Sequence, residues 1–482
     1  MDEPRSFGAQ LADLAARRPD DVVLRFAAPG GAETALTAGG AHRRASQIAV
    51  ALDARGLRRG DRLSLALRNT PEFVLSVLAA WRLGAVPVPM RWDLPDWELS
   101  RVRAVVRAKV HLAAEDAGWL AATAADPVPE LRDLVPPQCH GICSSGSTGT
   151  PKVILADRPG YFDARRAAPF AAAWGPVPRP ETILVPAPMY HTNGFFTLQS
   201  LLAGDRLVVL ERFDAAQAVD LIERHAVTTF TATPTMLRRL AALPGIEERD
   251  LSGLRWILQG AAPLPPALAR RWCGLVGPER MFTAYGMTEG FGFTGLRGDE
   301  WAGHEGSVGR PVRGTEIRIL DDDGEPVPAG EPGLVHLRCT TSGQHRYVGS
   351  APDAPATSDG FATAGDIGYL DEDGYLYLLD RAVDLIVTGG ANVYPAEVEH
   401  ALLDHPGIAD VAVIGLRDPE WGRRVHAVIE PAAPLTAADV ITYARARLAP
   451  YKVPKTVEFV AALPRSAATK LSRTALVAER GG

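Results

Sequence analysis

The sequence lacks the features of membrane, secreted and nucleic-acid-binding proteins. Its 482 residues include 51 basic and 57 acidic side chains, and the net charge of −6 leaves no excess of basic residues to bind nucleic acid. No run of about 18 uncharged apolar residues is available to cross a membrane. The first residues, Met-Asp-Glu-Pro-Arg, lack the apolar segment of a signal peptide. We therefore expect a cytoplasmic protein with no membrane span and no nucleic-acid partner.

Cysteine is also scarce, with four residues at Cys139, Cys143, Cys273 and Cys339. The spacing of Cys139-His140-x-x-Cys143 could form half of a metal site, but no second pair of this kind completes a tetrahedral set of ligands. Free cysteines are common in cytosolic proteins, where thiols stay reduced. The sequence therefore predicts buried free thiols.

The signature of P-loop nucleotide-binding proteins is missing as well, because neither Gly-Lys-Ser nor Gly-Lys-Thr occurs. A different run, Ser-Ser-Gly-Ser-Thr-Gly-Thr-Pro-Lys, covers residues 144–152. Its glycines allow close approach of the backbone, its hydroxyl and N–H groups can surround an anion, and its lysine adds a positive charge. Apolar Ile142 precedes it and Val-Ile-Leu at 153–155 follows, which favours a phosphate-binding loop between two strands over a flexible linker.

Alternating helix and strand patterns cover most of the chain. Residues 71–83 are predicted as a helix opened by proline and residues 86–89 as a short strand. Residues 94–108 are predicted as a second helix, with Trp97 among its periodic apolar positions. The alternation resumes between residues 182 and 258, where residues 195–202 are predicted as a helix. This pattern predicts an α/β fold with doubly wound sheets that helices cover.

The composition of the sequence changes near Gly306. Turn residues at 321–324 and 371–374 indicate hairpins, and hence a β-rich subdomain. A smaller α+β unit follows Arg381, in which Thr436-x-x-Asp439 is typical of a helix start. We therefore predict a large N-terminal lobe over residues 1–380 and a small, mobile C-terminal lobe over residues 381–482.

Two further motifs are expected at the carboxyl ends of strands, where ligands of doubly wound sheets bind. Tyr-Gly-Met-Thr-Glu at 285–289 offers an aromatic face for adenine, a hydroxyl for a phosphate oxygen and a carboxylate for Mg²⁺. Gly-Ala-Ala-Pro-Leu at 260–264 consists largely of small residues that let the backbone reach the edge of a base. The run Gly-Phe-Gly-Phe-Thr-Gly at 290–295 fits G-x-G-x-x-G in the wrong context, and we interpret it as pocket wall.

Residues 144–152, 260–264 and 285–289 together resemble the motifs of the adenylate-forming superfamily, which includes acyl-CoA synthetases, luciferases and the adenylation domains of peptide synthetases. Three later runs resemble the same family in order and spacing: Thr-Ala-Gly-Asp at 363–366, Gly-Gly-Ala-Asn-Val-Tyr-Pro-Ala-Glu-Val-Glu at 389–399 and Leu-Pro-Arg-Ser-Ala-Ala-Thr-Lys-Leu-Ser-Arg at 463–473. The resemblance spans about residue 10 to residue 473. The chain departs from the family pattern at Ser144, Val153, Ala364, Asp380 and Thr469.

The resemblance implies a role for each matching residue. The catalytic residues would be Lys470, His191, Thr288 and Glu289, and Glu289 would hold Mg²⁺. The nucleotide-binding residues would be Ser144, Ser145, Gly146, Ser147, Thr148, Gly149, Lys152, Gly260, Ala261, Ala262, Tyr285, Gly286, Met287, Asp366 and Arg381. The acyl pocket would be formed by His191, Asn193, Gly194, Phe195, Gly260, Gly286 and Phe291. Gly390 would lie beside the acceptor tunnel, and Val383 occupies the hinge position.

The resemblance also implies a two-step reaction. In enzymes of this superfamily a carboxylic acid attacks the α-phosphorus of ATP, and the smaller lobe then swings to admit an acceptor to the acyl-AMP. We therefore expect ATP, Mg²⁺, a hydrophobic carboxylic acid and CoA, and a homodimer is possible. Residues 297–310 resemble ligases of bulky ring-containing acids. The lack of an Asp shortly after Asn193 disfavours an α-amino acid.

Two alternatives stay open at this point. An amine could replace CoA as the acceptor, which would make the protein an amide bond synthetase. Val383 and Thr469, which depart from the family, are also compatible with a nucleotide-binding homologue without turnover. A third interpretation of residues 144–152, as the site of a serine amidase, leaves every later motif unexplained.

Overall fold

The computed structural model describes residues 5–128, 131–144, 152–341, 345–349, 354–381, 384–388, 391–464, 471 and 473–481. The α-helices within these ranges are α1 (Phe7–Arg17), α2 (Ala38–Ala54), α3 (Pro71–Arg82), α4 (Asp96–Val106), α5 (Ala117–Ala122), α6 (Thr192–Phe195), α7 (Thr197–Leu202), α8 (Ala215–Arg224), α9 (Pro234–Ala241), α10 (Pro266–Val276), α11 (Gly298–Trp301), α12 (Pro395–Leu403), α13 (Ala437–Arg445) and α14 (Arg473–Glu479). Each predicted helix named above therefore has a counterpart.

Strands alternate with these helices along most of the chain. They are β1 (Val22–Ala27), β2 (Glu33–Thr37), β3 (Arg62–Ala66), β4 (Val86–Pro89), β5 (Val110–Ala113), β6 (Gly141–Ser144), β7 (Lys152–Ala156), β8 (Thr182–Val185), β9 (Arg206–Leu210), β10 (Thr229–Ala232), β11 (Trp256–Gln259), β12 (Met281–Gly286), β13 (Phe293–Arg297), β14 (Arg310–Val312), β15 (Thr315–Leu320), β16 (Gly333–Cys339), β17 (His345–Val348), β18 (Asp366–Leu370), β19 (Leu376–Arg381), β20 (Ile386–Thr388), β21 (Ala391–Val393), β22 (Ile408–Asp418), β23 (Gly422–Pro431) and β24 (Thr456–Phe459).

A nine-stranded sheet forms the centre of the large lobe, in the order β14-β13-β12-β11-β10-β8-β9-β1-β2. The six neighbouring strands from β12 to β1 are parallel, and only the pairs at the two edges are antiparallel. The central strands are short apolar runs because helices bury both faces, as is usual for parallel sheets. Trp272 of α10 and Leu237 of α9 pack on one face, whereas Leu198 and Leu201 of α7 pack on the other. The doubly wound sheet predicted from the sequence is confirmed.

Two smaller three-stranded sheets also belong to the first part of the chain. The parallel strands β4-β3-β5 form one, and the antiparallel strands β17-β7-β6 form the other. In the second sheet Ser144 is paired with Lys152, so residues 145–151 connect the two strands of a hairpin. The glycine- and hydroxyl-rich run therefore connects two strands, as predicted.

The β-rich part of the chain is a four-stranded sheet in the order β15-β16-β18-β19. Its predicted turns at residues 321–324 and 371–374 follow β15 and β18, respectively. The side chain of Asp371 closes the second turn, because its Oδ1 atom accepts hydrogen bonds from the backbone N–H groups of Asp373 and Tyr375 at 3.1 and 2.8 Å. Aspartate commonly stabilises turns through such contacts with the backbone that follows it.

A last sheet in the order β21-β20-β23-β22, with β24 beside β23, lies after residue 385. Helices α12 and α13 pack on it through buried Val398, Leu402 and Val440. Thr436 begins α13 with the predicted capping box, in which its hydroxyl accepts from the N–H of Asp439 and the Asp439 carboxylate accepts from the N–H of Thr436. The domain boundary near residue 381 stays a prediction.

Three details differ from the sequence predictions. Trp97 is 62% exposed, because α4 is buried only through Val102 and Val106, so its assignment to an apolar stripe is wrong. The helix predicted over residues 195–202 is two short helices, α6 and α7. The four cysteines are free, but Cys139 alone is fully buried, and the other three are partly exposed. No helix among the described residues is long and apolar enough to span a membrane.

Candidate active site

The carboxyl ends of β8, β10, β11 and β12 meet beside a large cavity. Residues after each of these strands line it, among them Tyr190, Pro234, Gly260 and Met287. The volume of about 2250 Å³ exceeds the roughly 300–1,000 Å³ of a site for one small molecule. The cavity therefore has room for more than one substrate, at the edge of the sheet where doubly wound folds bind ligands.

Lys152, the first residue of β7, forms an ion pair at this edge with Glu289. Its Nζ atom lies 3.1 Å from Glu289 Oε1, and the two side chains are only 18% and 12% exposed. Tyr347 of β17 completes the cluster, because its hydroxyl donates to the same Oε1 atom at 2.8 Å and its ring centroid lies 3.8 Å from Lys152 Nζ. Three segments that are distant in the sequence thus converge on one carboxylate.

The electrostatics of this cluster keep Glu289 ionised. Burial alone would raise the pKa of Glu289, but the hydrogen bond from Tyr347 and the positive charge of Lys152 outweigh it and lower the pKa. An ionised carboxylate that lines the cavity can ligate a hard cation such as Mg²⁺. No group of three or more histidine, cysteine or acidic side chains that could hold a metal occurs among the described residues. A single carboxylate fits Mg²⁺, which is usually held by one or two carboxylates together with substrate phosphates.

Tyr285 and Asp366 come together at a second point of the cavity. The Tyr285 hydroxyl donates a hydrogen bond to Asp366 Oδ2 at 2.6 Å. Asp366 begins β18, and its backbone is paired in register with that of Arg381 at the end of β19. The residues that the resemblance assigns to the adenosine are therefore neighbours, although the motifs that contain them are some 80 residues apart.

The turn after β11 presents backbone to the cavity through Gly260, Ala261 and Ala262. Ala261 adopts the left-handed conformation, with φ of 71°. Gln259 holds this conformation, since its buried side chain donates to the carbonyl of Ala262 at 2.6 Å. An alanine in this region carries strain of about 1–2 kcal/mol, and such strain is found preferentially at binding sites.

The loop after β8 carries His191, which precedes α6 and lines the cavity with Asn193. The side chain of buried Asn69 holds this loop in place through hydrogen bonds. Its side-chain amide donates to the carbonyls of Ala187 and Leu210 at 3.0 Å each, and its Oδ1 atom accepts from the N–H of Met189 at 2.8 Å. Sequence analysis did not identify Asn69, because no local pattern distinguishes it from other loop asparagines.

Three residues predicted for the acyl pocket do not reach the cavity. Phe195 is 1% exposed and packs edge-on against Trp81, while its neighbour Phe196 lines the cavity. Gly194 is packed against the loop before it, where a Cβ atom would lie 2.8 Å from backbone atoms of Pro188 and Met189. Phe291 contacts the apolar cluster of the four-stranded sheet, and Phe293 lines the cavity in its region. Residues 290–295 belong to the β12–β13 hairpin. Through Phe293 they form part of the cavity wall, as the sequence predicted.

The other predicted residues fall into two groups. Gly260, Ala261, Ala262, Tyr285, Gly286, Met287, Thr288, Glu289, Asp366, His191, Asn193 and Lys152 line the cavity. Ser145, Gly146, Ser147, Thr148, Gly149, Val383, Gly390 and Lys470 lie outside the described residues, and for Ser144 and Arg381 only the backbone is described. Pro464 and Leu471, which flank residues 465–470, line the same cavity.

The opposite end of the cavity contains a carboxylate that sequence analysis missed. Glu181, directly before β8, is 1% exposed, and its Oε1 atom accepts a hydrogen bond from the indole N–H of Trp256 at 2.7 Å. Burial raises the pKa of Glu181 to about 7, an effect that the hydrogen bond from Trp256 only partly offsets and that nearby Asp205 reinforces. The positive charges of Arg179 and Arg255 lower the pKa of Glu181. Perturbed carboxylates of this kind are frequent at functional sites.

Known proteins resemble this chain along most of its length. The family model for AMP-binding enzymes matches residues 11–143 and 138–342, and the model for the AMP-binding enzyme C-terminal domain matches residues 397–470. The feruloyl-CoA synthase of an Amycolatopsis species is 35% identical over 91% of this chain and 92% of its own. The 2-succinylbenzoate–CoA ligase of Bacillus licheniformis is 33% identical over 89% of this chain and 92% of its own.

Solved structures of similar proteins share the fold of this chain. The o-succinylbenzoate CoA synthetase from Bacillus subtilis, in complex with an acyl-adenylate intermediate, has a TM-score of 0.84 and 28% identity over 98% of both chains. An amide bond synthetase from Marinactinospora thermotolerans has a TM-score of 0.82 and 27% identity over 98% of this chain and 99% of its own. The fold is that of ATP-dependent ligases that form acyl-AMP. The chain belongs to the AMP-binding enzyme family.

The raised pKa of Glu181 predicts a measurable effect of pH on stability. Between about pH 4.5 and 7 the folded state holds a proton that the unfolded state releases, so the free energy of unfolding falls as pH rises. Glu181→Gln removes this penalty. We expect the variant to gain up to about 3 kcal/mol over the wild type between pH 4.5 and 8, measured by denaturant unfolding. The exposed Glu331→Gln is the control, and parallel pH profiles for wild type and Glu181→Gln would contradict the pKa shift.

Proposed function

We propose that the protein activates an aromatic carboxylic acid with ATP and Mg²⁺ and transfers the acyl group from acyl-AMP to CoA. The observation that carries this proposal is that Lys152 and Glu289 lie at one cavity with Tyr285 and Asp366. Relatives support the acid and the acceptor, since two of them are named for feruloyl-CoA and for 2-succinylbenzoate–CoA formation.

The nucleotide would lie along the ends of β11 and β12. The exposed backbone of residues 260–262 provides space for the adenine, and the ring of Tyr285 provides a flat apolar surface beside it. Asp366, fixed by the Tyr285 hydroxyl, accepts hydrogen bonds from the ribose hydroxyls. Thr288 lies next to Glu289 and donates its hydroxyl hydrogen bond to a phosphate oxygen.

The first step requires that negative charge on the phosphates be neutralised. Mg²⁺ supplies part of that charge, and Glu289 is the residue that would hold it. Lys152, already 3.1 Å from Glu289, would turn to the phosphates once the cation compensates the carboxylate. Lys470, on the smaller lobe, would lie between the attacking carboxylate and the α-phosphate and stabilise the charge that develops there.

The acid would lie beyond His191, against a wall of aromatic and apolar side chains. This wall is formed by Phe170, Phe196, Trp256, Leu258 and Phe293. Aromatic walls favour a ring-containing acid, since ring–ring contacts are worth about 0.5–1.5 kcal/mol beyond burial. The wall of the cavity therefore agrees with the ring-containing acids in the names of the two relatives.

The acceptor would reach acyl-AMP after the smaller lobe has moved about Val383. Gly390 is our candidate for the wall of the tunnel that admits the pantetheine arm of CoA. An amine is the second candidate for acceptor, because the chain resembles an amide bond synthetase over 98% of its length. A cytoplasmic location is supported by the four free thiols, and a homodimer stays a prediction.

Formation of acyl-AMP is tested by ATP–pyrophosphate exchange with a panel of aromatic acids. We expect exchange that depends on the acid, and we expect Lys470→Ala to reduce it by about 100- to 1,000-fold, as for loss of one electrostatic stabiliser. Transfer from preformed acyl-AMP should be unaffected, because Lys470 serves only the first step. Equal damage to both half-reactions would contradict the movement of the smaller lobe, and no exchange with any acid would favour a homologue without turnover.

Removal of the Tyr347 hydroxyl should shift the pH dependence of adenylation. In Tyr347→Phe, Glu289 loses one hydrogen-bond donor that lowers its pKa, so its pKa rises and the carboxylate is protonated at a higher pH. We expect the acidic limb of kcat/KM for Mg²⁺-ATP to move to higher pH. Tyr443→Phe on α13 removes a hydroxyl remote from Glu289 and serves as control. Coinciding profiles of Tyr347→Phe and wild type would exclude this role.

The choice between CoA and an amine is tested by product mass with both acceptors present. We expect acyl-CoA from the wild type. Gly390→Leu should block its formation while pyrophosphate exchange continues, since a side chain at this position would obstruct the arm of CoA. Amide without acyl-CoA at saturating CoA would instead establish the amine as acceptor.

A further inference from the structure

A side chain of helix α9 is hydrogen-bonded to the backbone of strand β22, which belongs to a different sheet. The guanidinium of Arg238 donates from Nη1 to the carbonyl of Ala409 at 2.6 Å. Helix α9 packs on the central sheet, whereas β22 belongs to the last sheet of the chain. Within the described part of the chain, no other hydrogen bond joins residues before 382 to residues after 383. The contact therefore ties the smaller predicted lobe to the larger one.

The local structure on each side prepares this contact. Thr233 caps the start of α9 through its side chain, and the apolar face of the helix is buried, so Arg238 extends from a fixed base. Strand β22 pairs with β23 except at Ala409, because the register shifts between Ile408 and Asp410. The extra residue of a β-bulge is left out of the ladder. The bulge thus presents a backbone carbonyl to a donor that is held in place.

The contact accompanies an orientation of the smaller lobe that suits the first step of the reaction. Arg238 lines the large cavity together with Val411, which follows the bulge in β22. Pro464 and Leu471, which flank the segment that contains Lys470, line the same cavity. Lys470 is predicted to act only in adenylation. A lobe that is held in this orientation therefore keeps the segment with Lys470 beside the cavity.

We propose that the hydrogen bond between Arg238 and Ala409 is a latch that favours the orientation for adenylation over the orientation for acyl transfer. This inference rests on the proposed function, in which the smaller lobe moves between the two steps. The bond breaks when β22 moves away from α9. A hydrogen bond from a charged donor changes an equilibrium of this kind by a factor of about ten or more. Arg238 is thus a positioning residue, which acts through the location of Lys470.

The experiment measures the two half-reactions separately in Arg238→Ala, with Arg239→Ala as the matched control. Arg239 is the next residue of the same helix, carries the same charge and is exposed. Each half-reaction proceeds in proportion to the population of its orientation, so the ratio of the two rates follows the equilibrium between the orientations.

The first rate is that of ATP–pyrophosphate exchange, and the second is that of acyl transfer from preformed acyl-AMP to CoA. We expect the ratio of the first rate to the second to fall about tenfold in Arg238→Ala and to stay within about twofold of the wild type in Arg239→Ala. Arg238→Lys keeps a charged donor on a shorter side chain, and its ratio should lie between those of Arg238→Ala and the wild type.

Two results would overturn the proposal. One is an unchanged ratio in Arg238→Ala, which includes an equal loss of both half-reactions and would indicate a structural role only. The other is the same change in Arg238→Ala and Arg239→Ala, which would reflect the charge of α9 and not the hydrogen bond.

If no acid supports exchange, the proposed function fails, and the latch is then tested without catalysis. Fluorescence energy transfer between labels at exposed Glu331 and Glu420, one on each predicted lobe, reports the orientation of the lobes. A distance distribution that changes in Arg238→Ala and not in Arg239→Ala would support the latch. A distribution that Arg238→Ala leaves as in the wild type would exclude it.

Discussion

The ion pair between Lys152 and Glu289 is the contact on which the site depends. It joins the end of the β6–β7 hairpin to the turn after β12, across 137 residues of sequence. Burial alone would raise the pKa of Glu289, and the Tyr347 hydroxyl and the positive charge of Lys152 lower it, so the carboxylate stays ionised. In the proposed function the same pair supplies the positive group for the phosphates and the negative group for Mg²⁺. Its cost in desolvation is offset by the attraction between the two charges and by the hydrogen bond from Tyr347.

The sequence was sufficient for those parts of the site that depend on local chemistry. Strand ends could be located because short apolar runs precede each polar motif, and parallel strands place all their carboxyl ends at one edge. This reasoning brought Glu289, Tyr285 and residues 260–262 to one cavity, where the structure has them. The order of the motifs added Asp366, whose contact with Tyr285 could not be derived from spacing.

Residues that act through long-range packing could not be predicted. Tyr347, Asn69 and Glu181 carry no local signal, since each contacts its partner only after strands distant in sequence have paired. A different cause explains why Phe196, and not the predicted Phe195, lines the cavity. Phe195 ends α6 and Phe196 lies between α6 and α7. Successive residues of a helical turn are rotated by about 100°, so the exact position of the turn decides which ring reaches the cavity. Sequence periodicity locates helix boundaries only to within a residue or two. An error of one residue is enough to assign a core side chain to the pocket and a pocket side chain to the core.

The two ends of the cavity differ in charge, and this difference constrains how an acid can bind. Lys152 lines the cavity where we propose the nucleotide, whereas Glu181 lines it at the amino end of β8. In the proposed function, an acid with its carboxylate beside Glu181 would bring two carboxyl groups together in a poorly solvated space, which only proton uptake could relieve. In the opposite orientation the carboxylate meets the positive charge of Lys152. The distribution of charge therefore favours the orientation in which the carboxylate of the acid faces the nucleotide.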